Sequence, residues 1–465
     1  MRKKKINIKE DRELLYLIIG LAWPTMLEQL MHTMVQYIDT AMVGALGTEA
    51  TAAVGATGTV NWLVSGTIAA LSIGFLSYIA KARGANDLRS VKKASGQAVF
   101  VVMVVGCAFT FLMMTMSSKV PVWMQVDPSI REIAGRYFMI LYSPMLFRTA
   151  SIIFGNVLRA AGDTKTPMKV GIIVNLVNVC LNFLLIYPVR EVVVAGRKFW
   201  IYGASMGVMG AALASAISFC VGGILIGIKF YLHPEISPRG EKIAPDWGIL
   251  SPCLTVAIPN MLQRFGTSLG YVVFASMINS VGEVATAAHT IANTVESLFY
   301  IPGFGMQTAA ATMAGNAYGA SDPARMKKLP LVFLPLEVVM MFLSGTLLFV
   351  VAPIFMGLFS ANPEVIDLGA FVLRMVAVSE PFYGFSIIIE GFMQGVGKTK
   401  KPFLYNMIGM WGIRILGTFL CIQFLGGGLV AAWACMITHN LFLFLFFLGI
   451  HKRGKWNPLE VSVDF

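Results

Sequence analysis

A chain of 465 residues with 57% hydrophobic residues, a mean hydropathy of +0.73 and only 13% charged residues has too little polar surface to cover a globule in water, where about 25% charged residues is usual. Lipid is its solvent, and a water-soluble fold is excluded. The formal charge of +12 does not call for nucleic acid, because in a membrane chain a basic excess belongs to cytoplasmic loops.

In chain order, Met1-Arg2-Lys3-Lys4-Lys5 precedes an apolar run that is long, carries Glu28 and shows no small-residue cleavage site, so it reads as a retained first span rather than a signal peptide. Charge-poor stretches long enough to cross a hydrocarbon core of roughly 30 Å as helices then follow one another. They predict spans over 14–40, 54–80, 94–116, 134–156, 169–187, 207–230, 251–279, 284–315, 329–352, 368–394, 404–423 and 427–450. The expected fold class is an all-α integral membrane protein with twelve transmembrane helices in two six-helix lobes. Its expected parts are a cytoplasmic N-terminal segment (1–13), an N-terminal lobe (14–230), a cytoplasmic linker (231–250), a C-terminal lobe (251–450) and a cytoplasmic tail (451–465).

The termini, the stretch from Lys229 to Lys242 and the loops at 81–93, 159–169, 325–328 and 398–401 carry 26 Lys and Arg, against five (Lys119, Arg131, Arg190, Arg197 and Lys198) in the opposite loops. By the positive-inside rule both termini lie in the cytoplasm, which requires an even number of spans per half. Cys107, Cys180, Cys220, Cys253, Cys421 and Cys435 all fall in apolar stretches without metal-like spacing and read as free thiols.

Sliding the sequence along itself by 235 residues aligns Ala22-Trp23-Pro24 with Ala257-Ile258-Pro259, and Gly84-Ala85-Asn86-Asp87 with Gly319-Ala320-Ser321-Asp322. The same offset aligns Gly162-Asp163-Thr164-Lys165-Thr166-Pro167 with Gly397-Lys398-Thr399-Lys400-Lys401-Pro402. One register held from Ala22 to Pro167 is the mark of duplication. The offset then shortens to 220, matching Ala211-Ala212-Leu213-Ala214 with Ala431-Ala432-Trp433-Ala434, so the first half carries about 15 extra residues near 188–206. Six-span copies share one orientation, which predicts a pseudo-twofold axis along the membrane normal and a site between lobes.

These motifs resemble the MATE family (multidrug and toxic compound extrusion), whose halves each carry an early Pro, a Gly-Ala-x-Asp loop and a Thr-containing loop before Pro. The likeness runs from about Trp23 to Ala434, and Val35-Gln36-Tyr37-Ile38-Asp39-Thr40-Ala41-Met42-Val43-Gly44 resembles the family's first-span Asp followed closely by Gly. The resemblance implies a secondary antiporter that exports organic, often cationic, compounds in exchange for H+ or Na+. It implies no enzymatic activity, no cofactor beyond the coupling ion and residence in the cell membrane. The expected partners are a small-molecule organic substrate and membrane lipid, with the protein a monomer.

Read from the residues alone, Glu28, His32, Gln36 and Asp39 lie within about 80° of one face of the first span, a polar stripe. A charge at mid-bilayer costs from about 2.5 kcal/mol upward, so such a stripe faces a cavity or protein. Asn175, Asn178 and Asn182 follow in the fifth span and Ser215 in the sixth. The resemblance implies a cation-coupling set of Asp39, Asn178, Asn182 and Ser215, with Na+ at Asp39 and Asn178 as the metal reading. Asn182 stands where the DinF-like branch has an acid and Ser215 where it has Thr; the NorM-like second-half site looks absent, since Thr267 and Tyr383 occupy its positions. At the duplication offsets Asp39 faces Phe274, Asn178 faces Ile413, Asn182 faces Gly417 and Ser215 faces Cys435, so the polar set exists in one half only. That pattern favours the DinF-like over the NorM-like branch.

The expected substrate cavity is lined by Glu28, Met31, His32, Gln36, Arg264 and Glu296, and methionines such as Met26, Met34, Met306 and Met313 read either as a pliable pocket or as lipid-facing filler. The competing reading on this fold is a flippase of lipid-linked precursors or an exporter of a specific metabolite. For the flippase, Arg148, Arg264, Arg374 and Arg414 are the candidates for a basic cavity.

Overall fold

The computed structural model describes residues 8–124, 126–194 and 197–460. Its first half runs α1 (Ile8–Gly44), α2 (Thr48–Gly84), α3 (Leu88–Met116), a single turn α4 (Val120–Trp123), α5 (Arg131–Tyr142), α6 (Met145–Ala160), α7 (Lys165–Leu185), the strands β1 (Pro188–Val194) and β2 (Arg197–Ala204), and α8 (Gly207–Leu232). The second half runs α9 (Trp247–Asn279), α10 (Glu283–Gly319), α11 (Pro323–Phe359), α12 (Pro363–Ala377), α13 (Glu380–Gly395), α14 (Lys400–Met407), a π-helical stretch (Ile408–Ile415), α15 (Leu416–Leu425) and α16 (Leu429–Lys452).

Among the described residues eight helices are long and apolar enough to cross a membrane, and two bent pairs pass together. With α9 and α10, 33 and 37 residues long, the helices group into twelve spans. Both bent pairs have a local cause. The fourth span breaks by 48° between α5 and α6, at Ser143-Pro144, and the tenth by 52° between α12 and α13, just ahead of Pro381. Proline has no N–H to give to the preceding turn. At each break a serine hydroxyl turns back onto the carbonyl three residues before it, Ser143 Oγ donating to Ile140 O (2.8 Å) and Ser379 Oγ to Val376 O (2.9 Å).

The extra residues of the first half form an antiparallel hairpin, with Glu191 opposite Trp200 and Val192 opposite Phe199. This two-stranded element departs from the all-helical expectation, and accounts for the change of offset. In the second half α15 ends on Gly426 in the left-handed conformation (φ 60°) and α16 begins at Leu429.

The chain divides into two compact units. One comprises Leu30–Phe75 and Leu88–Ser251; the other comprises Met1–Gln29, Leu76–Asp87 and Pro252–Phe465. In the first unit α8 packs on α6 and α7, Phe154 stacks on Phe230 at 4.3 Å, and Gly223 leaves no room for a side chain against the Phe147 backbone. The linker is pinned to α3: Gln97 donates to Ala244 O (2.7 Å) and accepts from Asp246 N (2.9 Å).

In the other unit the start of α1, with Ile18, Leu21 and Ala22, is buried in one core with Met306, Met313, Phe333 and Phe392. Met306 and Met313 are therefore packed core residues, not lipid-facing filler, whereas Met34 is exposed. Here α1 continues through Pro24, and the Thr25 hydroxyl reaches both Ala22 O (2.7 Å) and Gly305 O (3.0 Å). The paired Gly-Ala-x-Asp motifs meet in this unit. A Cβ at Gly84 would strike the Asn316 carbonyl, and a Cβ at Gly319, its copy, would strike the Lys81 carbonyl. Each motif then turns through a left-handed residue, Asn86 (φ 55°) and Ser321 (φ 51°), and Asp322 caps α11 by accepting from Arg325 N at 2.9 Å.

Candidate functional site

Asp39 lies on α1, Asn178 and Asn182 on consecutive turns of α7, and Ser215 on α8. The structure brings all four together within one unit. Asn182 Nδ2 donates both to Asp39 Oδ1 and to Asn178 Oδ1 (3.2 Å), and Asn178 Nδ2 donates to Ser215 Oγ (3.2 Å). Two amides on α7 thus tie three helices into a single chain of hydrogen bonds. Asn182 is fully buried and Asn178 nearly so. Asn182 Oδ1 has no hydrogen-bond donor among the described residues, an orphan acceptor of the kind that native interiors almost always satisfy. Asp39 Oδ2, Asn182 Oδ1, Asn178 Oδ1 and Ser215 Oγ are the oxygens available to a small hard cation, which prefers such donors.

At the duplicated positions the second half is built for packing. Phe274 is fully buried, with His289 edge-on at 5.5 Å. Cys435 lies 3.9 Å from Cys421, Sγ to Sγ, and the missing side chain of Gly417 leaves space that the Cys435 sulfur fills.

The rest of the α1 stripe continues from Asp39 towards the N-terminus: Gln36, His32, Met31 and Glu28 are half-buried or exposed. Arg264 and Glu296 belong to the other unit and engage different partners from each other. The Arg264 guanidinium stands over the Phe304 ring at 5.6 Å and acts on Glu390, while Arg414 acts on Glu296. Glu390 is well supplied, accepting from Gln263 Nε2 (2.8 Å), Gln394 Nε2 (3.2 Å) and Asn406 Nδ2 (3.4 Å).

The four intramembrane arginines are each laid on an aromatic face, Arg148 on Phe219 at 4.6 Å, Arg264 on Phe304, Arg374 on Phe349 at 5.5 Å, and Arg414 on Phe274 at 4.2 Å. Arg148 also donates to Asn61 Oδ1 (2.7 Å) and Ser65 Oγ (2.6 Å). That buried cluster was not assembled from the sequence; the signal was Asn61 and Ser65 on one face of the second span.

Twelve spans in repeated halves, with a buried polar chain in one of them, define a multi-pass membrane protein of transporter type. The MatE family model matches residues 24–184 and again 259–420, once in each half, and the chain belongs to that family. Among its relatives, the "Probable multidrug resistance protein NorM" of Thermotoga maritima is 27% identical over 444 residues, covering 96% of this chain and 93% of the relative. The human "Multidrug and toxin extrusion protein 1" is 24% identical, covering 97% of this chain and 77% of that one. A solved structure described as the outward-facing conformation of a multidrug resistance MATE family transporter has a TM-score of 0.87 over 96% of both chains at 21% identity. A transporter of the MOP superfamily from Pyrococcus furiosus has a TM-score of 0.88 over 96% of this chain and 97% of that one, also at 21% identity. At these identities the likeness establishes the fold.

Proposed function

We propose that this protein is a secondary antiporter that exports organic, often cationic, compounds by alternating access of its two halves, with H+ or Na+ moving the other way. Its relatives are named for multidrug resistance and toxin extrusion. The observation that carries the reading is the hydrogen-bond chain from Asp39 through Asn182 and Asn178 to Ser215, present in one half and replaced by packing in the other.

In this reading Asp39 is the coupling group. When it is ionised, the Asn182 amide gives it a charge-assisted bond that ties α1 to α7; charge-assisted bonds are roughly twice as strong as neutral ones. A proton taken up by Asp39 removes that charge and loosens the tie, so the state of α1 follows the ion. A sodium ion would instead gather the orphan Asn182 oxygen and the Asp39 carboxylate into one shell. Either way the ion biases a two-state element, which is the thermodynamic requirement for coupling.

Glu28, Met31, His32 and Gln36 are the substrate-facing side chains in this proposal, since they prolong the Asp39 face along α1. Orientation with both termini in the cytoplasm of the cell membrane rests on the loop charges, and the chain acts as a monomer in lipid. A flippase needs several arginines gathered on one pyrophosphate; here Arg148 already gives its N–H groups to Asn61 and Ser65 and belongs to a different compact unit from Arg264, Arg374 and Arg414.

The test is accumulation of an ethidium-like dye in cells with and without the protein, with proton and sodium gradients collapsed separately. Lower accumulation that is lost with one of the two gradients supports the reading. Equal accumulation with and without a protein correctly inserted in the membrane sinks it.

A further inference from the structure

The second half holds three buried carboxyls that the coupling chain does not use. Glu296 is on α10, Glu337 on α11 and Glu380 at the first turn of α13. Glu337 is 0% exposed, and neither of its oxygens has a hydrogen-bond partner among the described residues. Glu380 is 2% exposed, and its Oε2 is likewise without a partner.

The three helices are shaped around this point by glycine. A Cβ at Gly303 of α10 would stand 2.8 Å from Glu337 Oε1, and a Cβ at Gly384 of α13 would stand 3.2 Å from Glu337 Cγ. Gly303 lies two turns from Glu296 and Gly384 one turn from Glu380, so the glycines that admit the Glu337 carboxyl share helical faces with the other two acids. Gly345 of α11 is closed down on the end of α12, where a Cβ would stand 2.6 Å from Ala377 O, with Glu380 Cβ beyond it at 3.5 Å.

Glu390, ten residues further along α13, is the internal control. Its oxygens accept from three side-chain amides, those of Gln263, Gln394 and Asn406. Glu337 has no such donors, and the charged groups acting on Glu380 are Glu296 and Glu337 themselves. An ionised carboxylate sealed from water without donor or cation is not a stable arrangement. Two like charges sharing such a place cannot both ionise.

We propose that Glu337 and Glu380 form a second proton-accepting site, in the second half, which takes up and releases one proton. The site differs in position from Thr267 and Tyr383, and does not depend on the role given to Asp39. The groups around it are Glu296 and Tyr300 of α10 and Tyr383 of α13, with the two tyrosine rings 6.0 Å apart. Arg414 acts on Glu296. His289, also on α10, is held between Phe274 and Trp433. On α12, the other neighbour of α11, Arg374 is laid on Phe349 and Glu364 and Asp367 stand in the first turns.

Infrared difference spectroscopy of the purified full chain in lipid, in an Asp39→Asn background, reads protonated carboxyl groups directly. The expected result is a carboxylic C=O band that is present at acidic pH and lost reversibly as pH is raised. Its amplitude is lost in Glu337→Gln and reduced in Glu380→Gln, two substitutions of the same size that leave a neutral side chain. Size-exclusion profiles confirm that each variant remains folded; if one does not, the other variant and the titration of the background protein still decide. A band that stays constant across the pH range in which the protein is folded marks a permanently neutral structural acid and overturns the proposal. So does a titrating band that both Glu→Gln variants leave unchanged. Failure of the Asp39 reading shows separately, as dye export retained by Asp39→Asn.

Discussion

The two halves descend from one repeat, yet they treat polar groups in opposite ways. In the first, Asp39, Asn182, Asn178 and Ser215 pass hydrogen bonds from α1 to α7 to α8. In the second, Phe274, Gly417 and Cys435 occupy the corresponding places, and the acids stand elsewhere, on α10, α11 and α13. Where the halves agree, as at Gly84 and Gly319, the residue lets two backbones touch. Where they differ, one copy has been released from packing to do something else.

The change that strains this contrast most is Asn182→Ala, which removes both bonds of the central amide. Loss of a hydrogen bond to a charged partner is worth about 1.5–3 kcal/mol, and energised dye export is expected to fall by an order of magnitude or more with insertion in the membrane unchanged. Export at the unsubstituted rate would mean that the chain is only structural. Phe274→Ala asks the converse question of the other half. Emptying a fully buried aromatic site costs about 3–5 kcal/mol, read as a lower unfolding temperature in detergent, while the ion dependence of the remaining transport stays as it was; a changed ion dependence would erase the distinction between halves.

Gly84→Ala and Gly319→Ala probe what the halves share. Each pushes a methyl group into a carbonyl oxygen, and overpacking of this kind costs about 1–3 kcal/mol. The two variants are expected to lose similar thermal stability, and a large difference between them would show that the motifs are not equivalent. At the small end, Arg136→Ala removes an exposed pair with Glu132 (2.6 Å, side chains 68% and 75% accessible). Such pairs contribute about 0.3–0.5 kcal/mol, and neither stability nor export should move measurably.

Much of the architecture was legible because it rests on composition and repetition. Lipid demands long apolar helices, so the span count followed from charge-poor stretches, and the 235-residue register exposed the duplication. The hairpin showed only as a shift of offset, since an insertion announces its length but not its pairing. The breaks at Ser143-Pro144 and ahead of Pro381 had their prolines in view, but a proline alone does not say whether a helix bends or, as at Pro24 in α1, continues.

Within the site, helical spacing marked Asp39, Asn178 and Asn182 as neighbours in kind. That the Asn182 amide reaches Asp39 as well as Asn178 depends on α1 meeting α7, which no local pattern encodes. The buried charges were harder still. Arg264 stands over Phe304 and Arg414 over Phe274, and choosing among such partners requires the packing itself. The π-helical stretch that presents Arg414 to Tyr271 and Phe274 had no signature in the sequence.

The central claim is that coupling resides at Asp39. It is tested most directly by reconstituting the chain and its Asp39→Asn variant in liposomes and following ethidium movement under an imposed proton gradient and, separately, an imposed sodium gradient. The unsubstituted protein is expected to respond to at least one of the gradients, while the variant still binds ethidium but responds to neither. Gradient-driven transport by Asp39→Asn at the unsubstituted rate would contradict it.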